Sequence, residues 1–149
     1  MNSDFKSRWI GYSLGVLQAF IGVTAAAGGF GLVSDPSGAK MNISLEWLNN
    51  TPFVNYFIPG LVLLAVNGVG NVVASITTFV RNKYAPNLAA ALGMFLVLYI
   101  TIEVLSVGLR TPLQPLYFIL GVIEFVVGLK LAKAPDQIRI EPTVKKMPT

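Results

Sequence analysis

The chain has 149 residues, of which 54% are hydrophobic and only 12% charged, with a net charge of +4. A soluble domain carries about 25% charged residues, so this composition points to a bilayer as solvent and, at this length, to one domain. There are no cysteines and no histidines, which excludes disulfides, thiol redox chemistry and Cys or His metal ligation.

Crossing the hydrocarbon core takes about 20 apolar residues. Four segments meet that length: 9–33, 58–80, 88–109 and 113–131. They predict an all-α, four-transmembrane-helix bundle over 1–133, an outer loop at 34–57 and a flexible cytoplasmic tail at 134–149. The first segment follows Lys6 and Arg8 and contains Ala25-Ala26-Ala27, features shared with secretory signals. Its apolar run exceeds the 7–15 residues of a signal core, so it is expected to remain as a helix.

On the first span, Gly11, Gly15, Gly22 and Gly29 recur at spacings of four and seven, with Gln18 among them. Small residues let helix backbones approach closely in lipid. Gly11, Gly15 and Gly22 are expected to form a packing surface, within the bundle or between copies. In the loop that follows, Ser34-Asp35-Pro36-Ser37-Gly38 has turn chemistry, and Ile43–Leu48 suits a short interfacial helix. Trp47, Phe53, Tyr56 and Phe57 suit the headgroup level. Two readings stand for this loop: a lid resting on the membrane surface, or a loop that grips a ligand.

The second span begins near Pro59, where a helix needs no amide donor. It places Asn67 and Asn71 on one stripe with Ala74 and Thr78, and Gly68 and Gly70 flank the asparagines. Amides in hydrocarbon need partners, so this stripe should face protein. The third span carries Glu103 on a stripe with Leu92, Leu96, Tyr99 and Ser106. The fourth carries Glu124 on the stripe Gln114, Tyr117, Gly121, Glu124 and Gly128. Ionisable groups are costly against lipid, so both stripes should point inward. Gly121 and Gly128 are further helix-packing candidates.

Side chains lean toward the N-terminus of their own helix. On antiparallel spans, Glu103 and Glu124 therefore lean toward each other and are expected to converge. The candidate site is a polar cluster of Gln18, Asn67, Asn71, Glu103 and Glu124, with Tyr99 and Tyr117 beside it. Either a neutral carboxylic acid satisfies itself on a neighbouring amide, or the cluster holds a proton, a cation or a polar ligand. Arg110 lies seven residues beyond Glu103 on nearly the same face, a rise of about 10 Å, and is expected at the outer interface, unpaired with it. No catalytic residue, metal or cofactor is indicated.

Of the 11 Lys and Arg residues, all but Lys40 and Arg110 flank the side that bears both termini. That side is expected to be the cytoplasm. No groove-sized basic patch exists, so no nucleic-acid partner is expected. The expected partners are the bilayer and a second copy or another membrane protein.

The stretches Gly28–Gly38, Thr51-Pro52-Phe53, Pro59-Gly60 and Leu113-Gln114-Pro115-Leu116-Tyr117 resemble small bacterial four-span membrane proteins, similar in outline to the DoxX-like group. The resemblance implies a four-helix membrane bundle in a bacterial inner membrane. Some members of that group are linked to redox or quinone-associated membrane complexes. Three functions follow as expectations: a non-enzymatic accessory or self-assembling subunit; a channel or carrier for protons, cations or small polar solutes; and a redox- or quinone-associated component.

Overall fold

The structure is a computed structural model that describes residues 3–133, with side chains from Arg8 onward. The tail 134–149 lies outside the described residues, as does the side chain of Lys6. Four long helices run up and down: α1 (Ser3–Ser34), α2 (Phe57–Phe79), α3 (Ala85–Val107) and α4 (Leu113–Ala132). Each is long and apolar enough to cross a membrane. The end carrying the 35–56 connection is called here the loop end, and the opposite one the terminal end.

Helix α3 starts three residues before the expected Leu88. Pro86 falls in its first turn, where a missing amide donor leaves no bond unmade. Helix α2 winds wide between Leu63 and Gly70, as a π-helix, before resuming as an α-helix at Asn71. The 35–56 connection is folded by its own polar groups. The Asp35 carboxylate accepts from the Ser37 hydroxyl at 2.6 Å and the Lys40 amide at 2.9 Å. The Ser37 bond is the main cause that holds this carboxyl below the usual range. Leu45–Leu48 forms a single tight turn that begins where Ser44 accepts from the Glu46 amide.

Glycine decides how the helices pair. On α1, a β-carbon at Gly22 would lie 2.7 Å from the backbone nitrogen of Val72, and one at Gly29 2.5 Å from that of Leu64. Gly15 receives the ring of Phe79, and its carbonyl accepts from the Ser75 hydroxyl at 2.8 Å. These contacts run the length of the α1–α2 hairpin. The α3–α4 hairpin is closer still. Gly93 meets the backbone of Gly121 and Phe125, and Gly128 meets that of Pro86 and Ala90. Gly93 was not among the packing residues read from the sequence. Gly11 was, but nothing among the described residues lies within 4 Å of its β position. Its row of α1 runs past the end of the α2 contact, so Gly15 begins the seam instead.

The two hairpins meet along fewer residues. Ile21, Leu96 and Ile100 form the apolar centre between them, with Leu17, Tyr99 and Leu120 packed around it. A second cluster of Leu32, Leu48 and Tyr56 ties the connection to α1. Tyr56 is thus buried within the loop, with its hydroxyl donating to the Ser44 carbonyl at 2.8 Å. The outward faces are apolar, with Val23, Val73, Leu98 and Ile123 among the exposed side chains.

Substituting Gly93 with leucine should disrupt the α3–α4 seam, because the side chain meets backbone that cannot turn away. The expected cost exceeds the about 1–3 kcal/mol of ordinary overpacking. Thermal unfolding in detergent should show a lower Tm or aggregation for Gly93→Leu, and a wild-type Tm for Gly11→Leu.

Candidate functional site

The five polar residues expected to form one cluster are divided between two places. The first is central. Glu124 is eleven residues into α4, about 16 Å from the loop end of that helix, and is fully buried. Gln18 of α1 donates through Nε2 to Glu124 Oε1 at 3.1 Å, and its Oε1 accepts from the Thr78 hydroxyl of α2 at 2.7 Å. One amide therefore uses both of its ends to join three helices. Thr78 had been placed on the right stripe but not counted in the site. The spacing of four and seven from Ala74 and Asn71 was the signal for it.

Asn67 and Asn71 are also fully buried on that stripe. Neither amide has a hydrogen-bond partner among the described residues, and neither does Glu124 Oε2. Asn71 lies seven residues from Thr78, an axial rise of about 10 Å, and shares no hydrogen bond with Gln18.

The second place is at the loop end. Glu103 sits four residues before the end of α3, and its Oε1 accepts from Gln114 Nε2 at 3.0 Å. Gln114 is itself held by the turn between α3 and α4. Its Oε1 accepts from the backbone amides of Arg110 (2.7 Å) and Thr111 (3.2 Å), while Nε2 also donates to the Gly108 carbonyl. Gly108 reverses the chain there with φ 80°. The expected convergence of the two glutamates is therefore corrected. Their positions differ by about 10 Å along the bundle axis, and each carboxyl has its own glutamine. Leaning inward does not close that rise, and Gln114 takes up Glu103 first.

Glu103 borders a cavity of about 560 Å³ in the loop-end half of the bundle. Its floor is Ala25 and Leu96, and its walls include Leu32, Leu63, Phe95, Ile100 and Tyr117. Trp47, Leu48, Phe53 and Tyr56 of the connection roof it. Tyr99 stands in the wall, donating its hydroxyl to the Pro59 carbonyl at 3.1 Å. Arg110 forms no ion pair with Glu103. Its Nε donates to the Val107 carbonyl at 2.7 Å, and the guanidinium lies 5.5 Å from the centre of the Trp47 ring. This cation–π contact ties the roof to the α3–α4 turn. The connection is thus part of the cavity's lining. Of the sequence-read site residues, Glu103, Tyr99 and Tyr117 line this cavity, whereas Gln18, Glu124, Asn67 and Asn71 do not. Gln114, named on its stripe alone, is the residue that organises the cavity's polar end.

No protein-family model, curated protein or solved structure matches the chain.

Replacing Gln18 with leucine should strand Glu124 and Thr78 without partners. The expected loss is about 1–3 kcal/mol, the cost of leaving buried polar groups unmade. Glu124→Gln preserves an acceptor for Gln18 and should fold as the wild type does. Comparison of the two variants by thermal unfolding in detergent tests the assignment, and equal Tm values for both would contradict it.

Proposed function

We propose that this chain is a non-enzymatic multi-pass membrane protein that holds a lipid-soluble amphiphile in the loop-end cavity, as an accessory component of a membrane assembly. The observation that carries the reading is the cavity itself: about 560 Å³, within the about 300–1,000 Å³ of small-molecule sites. Its walls are almost wholly apolar, and one carboxyl–amide pair, Glu103 and Gln114, supplies a polar end. Such a pocket suits a molecule with an apolar body and a hydrogen-bonding head.

The direction of entry follows from the lining. Ile58, Leu98, Ile102 and Leu113 border the cavity and are also exposed on the outer face of the bundle. The opening is therefore lateral, toward the surface that acyl chains would cover, so a ligand would arrive from the bilayer. The basic residues favour a cytoplasmic terminal end, which would put the cavity in the opposite leaflet. A bacterial inner membrane and a DoxX-like relationship are part of the proposal, supported by the turn and glycine stretches that resemble that group. The partners proposed are lipid and either a second copy or another membrane protein. A quinone is one candidate amphiphile, by that resemblance.

Protein purified in native nanodiscs should carry a discrete amphiphile, enriched over bulk lipid, when extracts are read by mass spectrometry. Glu103→Leu should lower its retention about tenfold or more, since a hydrogen bond to a carboxyl contributes about 1.5–3 kcal/mol. A wild-type extract with only the bulk lipid composition, or unchanged retention in Glu103→Leu, would contradict the proposal.

A further inference from the structure

The bundle's interior holds a second polar feature that the cavity does not use. Asn67 and Asn71 present two complete amide groups with no partner among the described residues, and Glu124 Oε2 is likewise unpartnered. All three side chains have zero exposure. Asn67 lies within the wide-wound segment of α2, and Asn71 follows directly after it. Winding of this kind recurs at functional sites.

The chemistry of the unmade bonds selects the occupant. Each asparagine offers one acceptor oxygen and an NH2 group with two donors. A cation would satisfy the oxygens and leave both NH2 groups without acceptors. An anion would satisfy the NH2 groups, leave the oxygens, and sit in a core that already holds a carboxyl group. Only a neutral molecule that both donates and accepts completes the set. Buried water fills this role in protein interiors, bonding polar groups that the chain leaves unsatisfied.

We propose that the bundle binds water in its interior, on the Asn67–Asn71 pair and on the free oxygen of Glu124. The site lies along a polar line. Thr78, next to the terminal end of α2, bonds Gln18, which bonds Glu124. Asn71 and Asn67 extend the Thr78 stripe toward the loop end. Leu63, four residues before Asn67 in the wide-wound segment, lines the cavity. Water on the asparagines fills the stretch of that stripe between Thr78 and the cavity-lining Leu63.

The test is water-edited solid-state NMR of uniformly carbon- and nitrogen-labelled protein in phosphatidylcholine bilayers, with Asn67→Leu and Asn71→Leu assigning the two side-chain signals. Both amides should gain polarisation from water several-fold faster than the methyls of Ile21 and Leu96, which are equally buried. Each signal should vanish only in its own variant. Build-up no faster than at Ile21 would show a dry core and overturn the proposal. Movement of the amide signals when sodium is exchanged for choline would overturn it in favour of a cation. If the leucine variants fail to fold, sequential assignment of the wild-type signals still decides the outcome.

Discussion

Hydrocarbon offers no hydrogen bonds, so every polar side chain within these four helices must find its partner inside the bundle. Gln18 is where that constraint bears hardest. Its amide takes a proton from Thr78 and gives one to Glu124, which fixes α1 and α2 against α4 at a single height. Apolar packing alone would let the two hairpins slide, because lipid tails compete on equal terms with leucine side chains. A buried two-ended hydrogen bond does not slide without leaving two groups unmade.

Within each hairpin a different device operates. Gly22 and Gly29 on one side, and Gly93 and Gly128 on the other, bring backbones together where any side chain would collide. The hairpins are therefore close-packed units, joined to each other by the Gln18 relay and the Ile21–Leu96–Ile100 centre. Toward the loop end that centre gives way to the cavity, closed above by Trp47 and its contact with Arg110. Glu103 is pinned at this end because Gln114 is already fixed by the turn beneath it. Close seams and a central polar tie leave room for the cavity between the hairpins, under the roof of the connection.

Much of this was legible in the chain. The four spans followed from apolar length, and the buried stripes of α2 and α4 followed from helical spacing and the cost of placing Asn or Glu against lipid. What spacing did not reveal was rotation and height together. Glu103 and Glu124 both face inward, yet a rise of about 10 Å separates them, and only the positions of Gln18 and Gln114 show which partner each takes. Gly11 and Gly93 illustrate a second limit. The Gly11–Gly15 spacing is a recognisable pattern without a contact at Gly11, whereas Gly93 has a contact without a repeated pattern on α3. The winding of Leu63–Gly70 left no mark beyond two flanking glycines, and the cavity, made from every helix and the connection, had no local signature.

The central claim is that the apolar outer faces meet hydrocarbon while the amides and carboxyls are sheltered behind them. The chain has no cysteine, so single cysteines at Val23, Val73, Leu98 and Ile123 can carry spin labels without background. In reconstituted bilayers, all four labels should collide readily with dissolved oxygen and scarcely with a water-soluble nickel complex. Strong collision with the nickel complex at these positions would place the helices in water and contradict the account.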